Sequence, residues 1–281
     1  MRTSYEIFFF LLFVLNAVPG MAEDEPTPEA LMRQVWEHYN HKGCEIEQSM
    51  ITTTSWGDEP RYGTRWVANG NNMLFVLNRN EELREKPDGL LLEAGGPLLG
   101  YRVYIQKRGS IKGKGNNFMA NVLGTAFSYF DLARTMGEPP EMLECAEWER
   151  GVHSSLTFGT PVRSVKVELR GAPEDDYAFR VFHIAHPDWS DSTIPTIVGV
   201  EYYREGGQLD KIQENEHLVL HDDNLWRPEL IRITQFRNSG DPEVTTIMVL
   251  HRSFKPPDAF TLTQESLTGG GLGLPCWRDE K

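Results

Sequence analysis

Eight histidines and several acidic pairs are the residues of this 281-residue chain best suited to metal or acid–base chemistry. Two local groupings stand out, His183-Ile-Ala-His186 and His217-Leu-Val-Leu-His221-Asp222-Asp223. Neither has the HExxH spacing with which a helix presents two imidazoles on one face. Both lie in runs of strand character, where residues three apart point to opposite faces and residues four apart sit ~13 Å from each other along one face. Local chelation fails on both counts, so the histidines read as ordinary core or surface residues and no cofactor is expected. Asp175-Asp176 and Asp222-Asp223 fall in turn-like settings, where solvated loops are the default.

Nucleotide and acyl-transfer chemistry lack their motifs as well. Gly109-Ser-Ile-Lys-Gly113-Lys114-Gly115 has glycines and lysines but neither the spacer nor the hydroxyl residue of a phosphate loop. It reads as a basic hairpin loop, Gly109 to Asn117, with Lys112 and Lys114 as a contact for acidic partners. No Gly-x-Ser-x-Gly elbow occurs, and Ser154-Ser155 after His153 is not a nucleophile context. The sequence therefore predicts a protein that is not an enzyme.

What remains is aromatic. Trp66, Phe75, Tyr101, Phe127, Tyr129, Phe130, Phe182, Tyr202 and Phe236 are spread over the strand-like runs and the middle of the chain. They either pack as an ordinary core or line a hydrophobic cavity between a curved sheet and its cover, and spacing does not separate the two.

The elements that must position these residues begin with Thr27-Pro28-Glu29, an N-cap, a proline at the first helical position and an acid in the first turn. Leu31, Val35 and Tyr39 recur at helical spacing, which predicts an amphipathic helix over 28–42. From Cys44 the pattern is β. Trp66-Val-Ala68 and Met73 to Leu77 flank Asn69-Gly70, the strongest hairpin signal in the chain. Strand patterns follow at Tyr101 to Lys107, Val162 to Leu169, Tyr177 to Ile184, Ile197 to Tyr203, Gln208 to Ile212, Glu216 to Leu220, Leu230 to Phe236 and Val244 to His251. Short helices are expected within Met119 to Met136 and over Pro140 to Arg150. The pattern specifies an α+β fold with one large antiparallel sheet.

The termini carry different signals. Ile7 to Leu15 is an uninterrupted apolar run after Arg2, followed by small residues up to Ala22, which is signal-peptide grammar with cleavage before Glu23. About nine apolar residues are too few to span a bilayer ~30 Å thick. The expected location is the periplasm or the exterior. A net charge of -13, with 41 acids against 28 bases, excludes nucleic acid as a partner. Cys44, Cys145 and Cys276 allow three single pairings, and sequence does not choose among them.

Three stretches carry a family resemblance. Asn121-Val-Leu-Gly124-Thr-Ala-Phe127-Ser128-Tyr129-Phe130-Asp131-Leu132 resembles the Gly-x-x-Phe-Ser-Tyr-x-Asp-Leu segment of periplasmic outer-membrane lipoprotein-sorting proteins, relatives of the LolA and LolB carriers. The hairpin Gly199 to Tyr203 and Gln208 to Ile212, joined by Arg204-Glu-Gly-Gly207, is similar to that family's hairpin ending in Gly-x-Leu-x-Lys. Lys255-Pro-Pro-Asp-Ala-Phe260-Thr261 to Leu267 is similar to its closing Asp-x-x-Phe-Thr. The resemblance implies an incomplete antiparallel β-barrel whose concave face is covered by helices and accepts acyl chains. It places Phe127, Tyr129 and Phe130 in the central cover and Phe260 at a strand end. The expected organisation is a signal peptide at 1–22, a single half-barrel domain at 23–267 and a glycine-rich tail at 268–281. The expected function is an exported carrier for a lipid or lipoprotein acyl chain. The alternative is an envelope protein-interaction module of the same fold with a filled interior.

Overall fold

The computed structural model describes residues 26–39, 44–57, 59–68, 72–78, 88–94, 101–107, 110–114, 121–122, 124–128, 131, 143–147, 162–169, 177–185, 194–221, 224–237, 240–256, 259 and 261–262. Helix α1 (Pro28–Tyr39) starts where its cap residues put it. Thr27 Oγ1 accepts a hydrogen bond from Ala30 N at 3.2 Å, and Pro28 occupies the first turn, where a missing N–H does no harm.

The strands are β1 (Cys44–Thr53), β2 (Arg61–Ala68), β3 (Asn72–Asn78), β4 (Asp88–Ala94), β5 (Tyr101–Lys107), β6 (Ser110–Lys114), β7 (Leu143–Glu147), β8 (Val162–Leu169), β9 (Phe179–Ala185), β10 (Thr196–Arg204), β11 (Gln208–Leu220), β12 (Trp226–Gln235) and β13 (Glu243–Lys255). They form one 13-stranded sheet in the order β6-β5-β4-β3-β2-β1-β13-β12-β11-β10-β9-β8-β7. The sheet is two antiparallel meanders, β1 to β6 and β7 to β13, that meet where β1 pairs with β13. The chain must therefore cross from one sheet edge to the other between β6 and β7, and Val122, Ala126 and Phe127 of that crossover lie on the sheet. Among the described residues no helix is long and apolar enough to cross a membrane.

Several sequence expectations need correction. The basic stretch after Gly109 is not a loop, because Ser110–Lys114 pairs with β5 as edge strand β6. The segment expected as a helix over Pro140 to Arg150 contains strand β7, the opposite edge. Tertiary pairing with β8 outweighs the proline entry signal there. Within Met119 to Met136, an Asn121–Ser128 bridge and a Val122 N to Phe127 O hydrogen bond of 2.7 Å close a turn, and Asp131 is helical, while the rest of the span expected to hold a short helix lies outside the described residues. Gln208 to Ile212 and Glu216 to Leu220 are one strand, β11, which passes through His217 at φ 50° without losing its register with β12. The glycine-rich tail and the signal-peptide segment lie outside the described residues.

Register assigns the faces. One row runs across seven strands as Thr53, Thr245, Ile233, Gln213, Val200, Phe182 and Val165. We call this the inner face, because α1 and the crossover turn both pack on it. The opposite, outer face is also buried in places, with Ile46, Trp66 and Leu74 at one end and Val181 at the other. Strands buried on both faces read as near-continuous apolar runs, as Phe179-Arg-Val-Phe-His-Ile-Ala185 does.

Gly63 has a packing reason on the inner face. A Cβ there would sit 2.8 Å from Ile51 Cδ1 and 3.0 Å from the Phe75 ring, because both side chains lean over the bare backbone. Gly63→Val is expected to lower stability by about 1–3 kcal/mol through overpacking, read as a lower urea midpoint with an unchanged slope.

Candidate functional site

The inner face carries two apolar beds. Leu31, Met32, Val35 and Tyr39 of α1 pack on Val165, Val167, Phe182, Val200 and Tyr202. Val122, Ala126 and Phe127 of the crossover turn pack on Ile51, Phe75, Ile231, Ile233 and Ile247. Leu31, Val35 and Tyr39 share one helical stripe because they are four residues apart, and the strand residues alternate at period two, so each bed is built by local geometry.

A polar seam separates the beds. The inner-face residues of β11 are Lys211, Gln213 and Asn215, all buried. Every one of them is satisfied. Lys211 Nζ donates to Asp131 Oδ2 at 2.8 Å, with the two side chains 1% and 0% exposed. Asp131 also accepts from Ser128 N at 2.7 Å and from the Tyr177 hydroxyl at 3.0 Å. Gln213 accepts from the Tyr202 hydroxyl at 2.8 Å and donates to Asn215, which donates to Ile197 O. Burial pushes the Asp131 carboxyl up, but Lys211 and the Ser128 hydrogen bonds overcome it and hold it below the usual carboxylate range. Burial and the Asp131 charge push the Tyr177 and Tyr202 hydroxyls up, so both stay protonated donors.

The crossover turn is pinned on its other side too. Ser55 Oγ donates to Gly124 O at 2.6 Å, and Ala126 N donates to Thr245 Oγ1 at 2.8 Å. Its anchor Thr245 donates to Thr53, and Glu243 accepts from Thr53 and Ser55 N.

Farther along β1 the inner face becomes ionic. Glu45 and Glu47 are buried and held between Arg65 of β2 and Arg252 of β13. Arg65 Nη2 lies 3.2 Å from Glu45 and 2.9 Å from Glu47, and Arg252 Nη2 lies 2.6 Å from Glu47. Arg252 Nε is 3.1 Å from Glu45, an ion pair too bent to be a hydrogen bond. Burial raises the Glu47 carboxyl, and the two guanidinium charges reverse this and hold it at about 2.

The nine aromatic residues singled out in the sequence separate accordingly. Phe75 and Phe127 meet in one bed, and Phe182 and Tyr202 meet in the other. Trp66 is buried on the outer face, because it pairs with Ile46 and Leu74 and is therefore out of phase with Phe75. Phe236 follows β12 and is 40% exposed. Tyr101 is on β5, while Tyr129, Phe130 and Phe260 lie outside the described residues. Cys44 and Cys145 are on β1 and β7 with six strands between them, too far apart for a bond that needs Cα atoms within ~7 Å. Cys276 lies outside the described residues.

Sequence reasoning singled out neither Asp131 nor Lys211 as a site residue, although both stand in the stretches that carry the family resemblance. A charge inside an apolar run, as in Phe127-Ser-Tyr-Phe-Asp131-Leu-Ala133 and Leu209-Asp-Lys211-Ile, was the available signal. The fold turns these two stretches, 80 residues apart, into one contact.

Solved structures share the fold. An outer membrane lipoprotein-sorting protein domain from Vibrio parahaemolyticus superposes with a TM-score of 0.63 at 14% identity, covering 85% of this chain and 96% of that one. A DUF1329 family protein from Desulfovibrio piger gives 0.64 at 12% identity over 86% of this chain and 99% of that one. A LolA superfamily protein from Nitrosomonas europaea gives 0.59 at 11% identity over 86% and 97%. The fold is that of the lipoprotein-sorting proteins. No protein-family profile matches the chain. No curated protein sequence does either. The lipoprotein-sorting fold is thus visible in the path of the backbone and in a few short stretches, at identities that carry the architecture alone. It accounts for the open curved antiparallel sheet.

Proposed function

We propose that this protein is an exported, periplasmic carrier that holds an acyl chain of a lipid or lipoprotein against the inner face of its sheet. The observation that carries this reading is the pair of covered apolar beds on one face of an open sheet, in the fold of lipoprotein-sorting proteins. Binding would come from burial. Each methylene moved out of water contributes about 0.8 kcal/mol, so eight carbons gain roughly 6 kcal/mol before ordering costs.

Loading requires one cover to yield. The crossover turn is tied to the sheet by a buried ion pair, whereas α1 rests on its bed through Leu31, Met32 and Val35 and through neutral contacts such as the Tyr39 hydroxyl donating to Trp226 O at 2.7 Å. Helix α1 is the cover that lifts, and Val165, Phe182 and Tyr202 are the surface it uncovers. Electrostatics fits a freely diffusing carrier, since a charge of -13 opposes adsorption to anionic lipid.

The test uses the mature chain purified without detergent. Native mass spectrometry and solvent extraction are expected to find bound acyl lipid, and a fluorescent long-chain fatty acid is expected to bind the delipidated protein saturably. Absence of both extractable lipid and saturable binding would sink the carrier reading.

A further inference from the structure

The outer face of β8, β9 and β10 carries a polar chain that lipid binding does not use. Ser164 pairs with His183, and His183 pairs with Gly199, so the three lie in one row. Glu201 is two residues beyond Gly199 and projects from the same face. Ser164 Oγ lies 2.8 Å from His183 Nδ1, and His183 Nε2 lies 3.2 Å from Glu201 Oε1. The Tyr203 hydroxyl donates a short hydrogen bond to the other Glu201 oxygen. Ser164, His183 and Glu201 are 7%, 6% and 8% exposed.

The backbone accommodates this chain at a cost. A Cβ at Gly199 would come within 3.2 Å of Gln213 O and 3.3 Å of His183 Cδ2, so glycine is what lets the imidazole lie across β10 toward Glu201. Glycine inside a strand is less stable than alanine, because it loses more backbone freedom on folding. Beside the chain, Tyr203 stacks on Phe179 at 4.6 Å, and Lys166, two residues along β8 from Ser164 on the same face, sets its Nζ 4.4 Å from the Phe179 ring centre.

We propose that Ser164, His183 and Glu201 form a nucleophile, a general base and a positioning acid for acyl transfer from a carboxylic ester. The order of contacts is that of a hydrolase triad, with the two ring nitrogens exchanged. In the tautomer that protonates Nε2, His183 donates to Glu201 and its Nδ1 is open to the serine proton. Ser164 Oγ bonds to the ester carbonyl carbon as its proton passes to Nδ1. The C–O bond to the alcohol then breaks, and the alcohol leaves with that proton. Water, deprotonated by the same nitrogen, releases the carboxylic acid and restores Ser164. This activity is independent of whether the inner face carries lipid.

The residues come from three strands at separations of 19 and 18 positions, which is why no local motif announced them. The experiment treats the purified full chain with a fluorophosphonate, followed by intact-mass measurement and peptide mapping. A single adduct on Ser164 is expected, absent in Ser164→Ala and roughly tenfold or more slower in His183→Gln. Glu201→Gln is expected to slow labelling of Ser164, and Glu201→Asp to restore part of the rate, because the shorter carboxylate can still accept from the imidazole. Thermal unfolding checks each variant, and if Ser164→Ala does not fold, the map of the wild-type adduct decides alone. A folded wild-type protein that stays unlabelled at Ser164, or labelling indifferent to His183→Gln, overturns the proposal.

Discussion

Lys211→Met is expected to lower the free energy of unfolding by about 3–5 kcal/mol, because it removes the cation and leaves Asp131 charged and buried. Methionine keeps most of the side-chain volume, so a packing defect contributes little to the loss. The double variant Asp131→Asn, Lys211→Met is expected to recover much of it, since a neutral amide can still be met by Ser128 N and the Tyr177 hydroxyl. The pair also sets a pH dependence. Folding holds the Asp131 carboxyl below its ordinary value, so the stabilisation is present above the unfolded value of about 3.9 and is lost as pH falls below it. Urea unfolding at neutral pH and across the acid range measures both effects. A single variant as stable as the parent would show that the crossover turn does not depend on this tie.

Arg252→Met is expected to be comparably severe, at about 3–5 kcal/mol, because it takes one of two cations from a buried layer that still contains two carboxylates. Its signature differs from that of Lys211. Glu47 is held at about 2 against an ordinary 4.5, so its contribution is complete above 4.5 and disappears as pH falls toward 2. In Arg252→Met part of that depression is gone, so the loss on acidification still begins near 4.5 but is smaller and is complete at a higher pH. Glu47→Gln should remove that limb of the profile altogether. Unfolding free energies between pH about 5 and about 2 resolve the three cases, and parallel curves for wild type and Glu47→Gln would contradict the assignment.

Both predictions concern residues whose importance was only partly legible in the chain. Glu45 and Glu47 share the strand phase of Ser49 and Ile51, which on β1 is the inner phase. Alternation alone would have put an acid on an outward phase, but Arg65 and Arg252 arrive from two neighbouring strands and make the inward position tolerable. Trp66 and Phe75 show the converse. Composition makes them equal candidates for one cavity, and a register offset of one residue sends them to opposite faces. The helix expected over Pro140 to Arg150 failed for a related reason, since Leu143–Glu147 is a strand only because β8 is available to pair with it.

The sequence by itself determined what depends on neighbours along the chain. Thr27 and Pro28 start α1, alternation at period two marks most of the strands, and Arg204-Glu-Gly-Gly207 turns β10 into β11. The short stretches around Phe127, Leu209 and Phe260 carry the resemblance to this fold. Only the tertiary structure decided what depends on residues far apart in the chain. It joined β1 to β13, brought Asp131 to Lys211 across 80 residues, and aligned Ser164, His183 and Glu201 on one outer face. The physical reason is the range of the interactions. Capping and strand alternation are set within a few residues, whereas a buried charge is stable only beside a partner that register and crossover deliver.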